Sequence, residues 1–126
     1  MIEGFAEYTH DPLTAEEEDM LNILVFLLGP CVGPKRAITN ARICQDLHQL
    51  GFKAKPARIR KIIHEIRIKR LIDNLVATST GYYICTNDAD IKRYIISILQ
   101  RASSIREVAE VMMQTNHLDY DDLDLD

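Results

Sequence analysis

The sequence contains no tryptophan, and aromatic residues fill only 6% of its 126 positions. It has three cysteines, four prolines and five glycines. The cysteines (Cys31, Cys44, Cys85) are scattered and odd in number, which argues against a disulfide framework and fits a reducing, cytoplasmic setting. So little glycine and proline excludes collagen-like and low-complexity chains. Long apolar runs are missing too. The longest, Met20 to Leu28, is interrupted by Asn22 and falls far short of the roughly 20 residues that a bilayer helix needs. The start, MIEGFAEYTHD, is acidic and lacks the basic residues and apolar core of a secretory signal.

Catalytic signatures are equally scarce. There is no phosphate-binding glycine loop, no GxSxG and no HExxH. Cys44 and His48 stand at i, i+4, but two ligands without a further Cys or His pair do not make a zinc site. They read as a buried cysteine and a partly exposed histidine. The aspartates near the C-terminus lack the glycine and ligand order of a calcium loop. The expected activity is binding rather than chemistry, with no cofactor and no metal.

What is present is an ordinary globular composition, 47% hydrophobic and 27% charged, long enough to bury a core unaided. The net charge of -4 hides a segregation. Residues 1–20 hold seven acids and no Lys or Arg, and residues 119–126 hold five more acids. Lys35 to Arg70 carries 11 basic residues against Asp46 and Glu65. A stretch so basic suits a polyanion partner, whatever the overall charge says.

The pattern predicts an arm over residues 1–13. Thr14 and Glu17 form a capping box that opens a helix from about Ala15 to Leu28. The second half of that helix, ILVFLL, is apolar on every side and predicts burial all round. Gly29-Pro30 ends it, and a loop leads through Lys35 and Arg36 to a short extended entry at Ile38. A helix over 40–50 follows, with Ile43, Leu47 and Leu50 as its stripe and Gly51 as its C-terminal glycine. Pro56 opens a third helix to about Lys69, in which Ile59, Ile62, Ile63 and Ile66 share one face. Ala57, Lys61 and His64 lie near the opposite direction, flanked by Arg58 and Arg60. Leu75–Thr78 and Tyr82–Cys85 predict two strands joined by Ser79-Thr80-Gly81, with one of Tyr82 and Tyr83 facing inward. Asn87 caps a last helix that runs to about Thr115. Its residues Ile91, Ile95, Ile98, Ala102, Ile105, Ala109 and Met112 alternate at spacings of four and three, a heptad seam. The tail over 116–126 gives no helix or strand signal.

This order resembles winged helix-turn-helix DNA-binding proteins over roughly residues 37–86. It is similar to small phage or mobile-element proteins in which a segment like IRKIIHEIRIKRLIDNLVATSTGYYI leads directly into a long helix like NDADIKRYIISILQR. Gly81-Tyr82-Tyr83-Ile84 after a polar turn is the most specific likeness. One departure is that Lys69-Arg70 stand where that pattern has glycine at the end of the third helix. The resemblance implies a winged helix-turn-helix with a small β-hairpin wing and a long C-terminal helix (87–115), and the pattern adds an N-terminal helix and loop (14–36), for a mainly α fold. It implies a regulator of transcription or replication.

The residues themselves support double-stranded DNA as the partner. Lys55, Arg58, Lys61 and His64 are expected on the start and outer face of a recognition helix, with Lys53 in the turn before it. Lys35, Arg36 and Arg42 are expected to reach the flanking phosphates, and Ser79 and Thr80 the backbone or minor groove. The heptad seam predicts a homodimer, with the first and last helices of two chains sharing a bundle. The acidic tail is a candidate competitor for the basic face within the chain. The rival reading is a protein-interaction adaptor that uses the same fold without DNA.

Overall fold

The computed structural model describes residues 11–124. Most of the expected 1–13 arm lies outside the described residues. The described chain is mainly helical, with four α-helices and one small antiparallel hairpin. It divides into two compact units at Asn87 and Asp88.

In the first unit, α1 spans Ala15–Leu28. Thr14 caps it: the Glu17 amide donates to Thr14 Oγ1 at 3.2 Å, and the Thr14 amide donates to Glu17 Oε1 at 2.9 Å. Its buried face is Met20, Leu21, Leu24 and Leu28. Expected burial on all sides does not occur. Phe26 points the opposite way and is 82% exposed, because the first unit packs against one side of α1 only. A 3-10 turn over Pro34–Arg36 precedes α2, Asn40–Gln49. Thr39 caps α2 by accepting from the Arg42 amide. Ile43, Cys44 and Leu47 are buried, whereas Leu50, expected in the stripe, lies past the helix end and is exposed. Gly51 takes φ 90°, and the Phe52 amide reaches back to the Leu47 carbonyl at 3.0 Å, the closing bond of a glycine C-cap.

The helix α3, Pro56–Ile68, buries Ile59, Ile62, Ile63 and Ile66. Its end explains the missing glycine. Arg70 adopts φ 56°, the left-handed conformation, while the Leu71 amide bonds the Ile66 carbonyl at 3.0 Å. An arginine there costs about 1–2 kcal/mol relative to a right-handed residue. Side chains from α1, α2 and α3 form one core with Ala54, Leu75 and Tyr82. The first helix therefore belongs to the same unit as the next two, and no boundary separates 14–36 from 37–86. Each fully buried Leu or Ile contributes roughly 1.5–3 kcal/mol.

The hairpin pairs β1, Leu75–Thr78, with β2, Gly81–Ile84. Thr78 faces Gly81 across the ladder, so the loop is Ser79-Thr80 alone and the expected three-residue loop is corrected. Tyr82 is buried and Tyr83 half-buried, as alternation requires. Ile38 adds a third rung: its amide donates to the Tyr82 carbonyl at 2.9 Å, and its carbonyl accepts from the Tyr82 amide at 2.8 Å. This close approach explains Gly81. It takes φ 122°, and a Cβ there would lie 2.4 Å from the Ile38 carbonyl oxygen.

The second unit contains α4, Asp88–Thr115, with Asp88 and Asp90 in its first turn. His117 ends it in the left-handed region, with the Leu118 amide bonded to the Met113 carbonyl. The tail is more ordered than expected. Asp121–Leu123 forms a 3-10 turn, and the Tyr120 hydroxyl donates to Glu110 of α4 at 3.2 Å. Among the described residues no helix is long and apolar enough to cross a membrane.

Glycine positions test this account. Gly51→Ala meets open space but keeps a strained φ, so it should cost about 1 kcal/mol in urea unfolding. Gly81→Ala combines strain with a backbone clash and should cost about 2–3 kcal/mol. Equal losses would separate Gly81 from the Ile38 contact.

Candidate nucleic-acid interface

One acid sorts the basic residues of α3. Glu17 continues the core stripe of α1 one turn above Met20 and Leu21, and it is 4% exposed. A carboxylate in that place needs cations. Lys61 Nζ lies 2.9 Å from Glu17 Oε1, and Arg58 Nε lies 3.1 Å from Glu17 Oε2. Arg58 also bonds Glu16 and donates to the Lys53 carbonyl at 2.9 Å. Burial pushes the Glu17 carboxyl up. The hydrogen bonds from the Thr14 amide, Lys61 and Arg58 outweigh it and hold the pKa at about 2, against an ordinary 4.5.

The expected placement of Arg58 and Lys61 on the outer face of α3 is therefore corrected. Their side chains are only 24% and 20% exposed, and both turn toward the start of α1. The physical reason is that a carboxylate buried at Glu17 would cost several kcal/mol if left unpaired, which draws both cations to it. His64 stays exposed, as expected.

The remaining candidates lie around the starts of α2 and α3. Asn40, the first residue of α2, joins three elements. Its Nδ2 is 3.2 Å from the Pro56 carbonyl at the start of α3 and 3.3 Å from the Tyr82 hydroxyl of β2. Its Oδ1 accepts from the Cys44 thiol. The two helix starts and the hairpin are thus drawn to one edge. Thr39, Asn40, Thr78, Ser79 and Gly81 line a cleft of about 170 Å³ there. Ser79 and Thr80 are exposed at the hairpin tip, where Thr80 Oγ1 lies 2.9 Å from Thr78 Oγ1. Arg42, in the first turn of α2, is largely exposed and pairs with Asp46 at 3.2 Å. Lys55 is the cap residue of α3 and is exposed, as is Lys53 in the turn before it. Lys35 and Arg36 are exposed on the 3-10 turn beside β2.

Cys44 is buried, and burial pushes its thiol up, away from the reactive thiolate. His48 Nε2 sits 2.8 Å from the Ala54 carbonyl, an acceptor, so this nitrogen carries the proton. Among the described residues no three His, Cys, Asp or Glu side chains gather as a metal site.

Sequence reasoning missed Glu17 as a core residue because its capping role already accounted for it. The signal was there. Residues 17, 20, 21, 24 and 28 follow one helical stripe, and Glu17 is its only charged member.

Because the Glu17 pKa is lowered in the folded state, its contribution is fully present above about pH 4.5. It is lost as the pH falls toward about 2. The shift corresponds to about 3 kcal/mol. Urea midpoints of the wild type should fall across that window, and Glu17→Gln should flatten this part of the profile. Lys61→Met should lower stability at neutral pH by about 3 kcal/mol, and adding Glu17→Gln should recover part of it. Additive losses would disprove the coupling.

Compared with protein-family models, with curated proteins and with solved structures, the chain shows no match.

Proposed function

We propose that the first unit is a winged helix-turn-helix that binds double-stranded DNA. By its resemblance to small phage and mobile-element proteins, it would serve as a regulator of transcription or replication. The observation that carries this reading is the Asn40 junction. It brings the start of α2, the start of α3 and the hairpin tip to one edge, the arrangement a duplex needs to meet helix and wing together. Lys53, Lys55 and Arg42 supply positive charge near that edge, and Lys35 and Arg36 supply more beside β2. The first-turn amides of α2, with Thr39, Ser79 and Thr80, suit phosphate oxygens. The protein acts by binding, without a chemical step.

In this reading Arg58 and Lys61 position α3 against α1 instead of touching bases. Base contact falls to Lys55 and His64, and the other cations neutralise phosphate.

A second reading is an adaptor that binds another protein. The observation in its favour is that α3 spends two cations on Glu17, while Phe26 and Ile68 remain exposed at 82% and 67% on the same unit.

A gel shift across salt separates the two. DNA binding should weaken steeply with salt, Lys53→Ala and Arg42→Ala should each lower the log–log slope by about 1, and Lys55→Ala should cost about 1–3 kcal/mol at one base position. Lys61→Ala should instead lower the melting temperature. Absence of binding to any duplex at low salt would favour the adaptor.

A further inference from the structure

From Ile95 onward the heptad seam of α4 is open to solvent. Ile95, Ile98, Ile105 and Met112 are 51%, 41%, 59% and 60% exposed, and Ala102 and Ala109 between them are exposed as well. No residue of α4 is buried. A bare apolar seam this long calls for an occupant, and its own composition indicates which one and in what direction.

We infer that α4 pairs with α4 of a second copy of this chain as an antiparallel two-helix coiled coil. In this pair Ala102 faces the partner's Ile105, and Ala109 faces the partner's Ile98. Side-chain size favours this direction. A parallel pair in register stacks Ala102 on its own copy and Ala109 on its own copy, leaving thin layers between the wide layers of Ile98, Ile105 and Met112. Such steps in width leave voids. The antiparallel pair sets each alanine against an isoleucine and Ile95 against the partner's Met112, so small meets large in these layers.

Flanking charge favours it as well. With the seam residues at the a and d positions, Arg101 and Arg106 fall on its flanks, at g and e. A parallel pair places Arg101 beside the partner's Arg106, a like-charge contact. The antiparallel pair in this register places Arg101 beside the partner's Val108 and Arg106 beside the partner's Leu99. Val108 and Leu99 are 62% and 64% exposed in the single chain, and the aliphatic stems of the arginines cover them while their charged heads stay in water. Opposed helix dipoles add to the same preference.

The twofold axis of this antiparallel register passes between Ser103 and Ser104. At 1.5 Å per residue, the two Asp88 ends then stand roughly 45 Å apart. This inference does not rest on DNA binding.

Light scattering at tens of micromolar should give twice the 14.4 kDa chain mass, and Ile105→Asp should return the mass of one chain. Direction is read by cross-linking. An Ile98→Cys chain mixed with an Ala109→Cys chain, treated with a short bismaleimide and mapped by mass spectrometry, should link position 98 to position 109. Ile98→Cys alone should not link to its own copy, because the antiparallel register separates those positions by roughly 16 Å along the axis. The native thiols are buried and yield different peptides. A wild-type monomer at that concentration, or efficient linkage of position 98 to its own copy, would overturn the proposal.

Discussion

Glu17 is a carboxylate placed where a helix stripe demands an apolar residue, and its need for partners organises the first unit. It cannot face water without turning Met20, Leu24 and Leu28 away from the core. It cannot stay buried uncompensated, because an isolated charge there would cost several kcal/mol. The solution in the fold is local and long-range together. Thr14, three residues before, supplies one hydrogen bond, and Lys61 and Arg58, 44 and 41 residues after, supply the cations. The same contacts fix the start of α1 on α3.

A second junction, at Asn40, ties the start of α3 to the hairpin as Glu17 ties α3 to α1. Its amide spans the start of α3 and Tyr82 of the hairpin. Ile38, two residues earlier, closes the third rung of the sheet on Tyr82. Tyr82 is therefore held both by its backbone and by its hydroxyl. The only residue that lets β2 come this close to Ile38 is one without a side chain, which is why Gly81 stands beside it. Core, sheet and candidate interface are thus parts of one set of contacts.

These contacts also change what the local charge means. A run of 11 basic residues between Lys35 and Arg70 reads as one polyanion surface when it is counted along the chain. In space it separates into Arg58 and Lys61, which neutralise an acid of the first helix, and exposed cations around the helix starts. Only the second group can contribute to a field outside the molecule. Counting charge along a sequence overstates that field whenever the partner acids lie in another segment, here the acidic first helix.

Signals carried within a few residues were legible in the sequence. The capping box at Thr14, the glycine turn at Gly51, proline at the head of α3, the hairpin and the full length of α4 all follow from short-range rules, since each depends on bonds between near neighbours. Even the heptad seam is a local pattern. What depends on distant segments was not legible. Whether Phe26 was inside, which way Arg58 and Lys61 turned, and why Gly81 sits in a strand instead of a loop were settled by α1 meeting α3 and by Ile38 meeting β2. Arg70 shows the boundary between the two. The sequence supplies no glycine at the end of α3, yet the chain turns left-handed there, because closing the Leu71-to-Ile66 bond and keeping Ile66 in the core outweigh the strain of one residue. Local rules set which elements form, and burial with charge compensation, which act between elements, decided which faces they show.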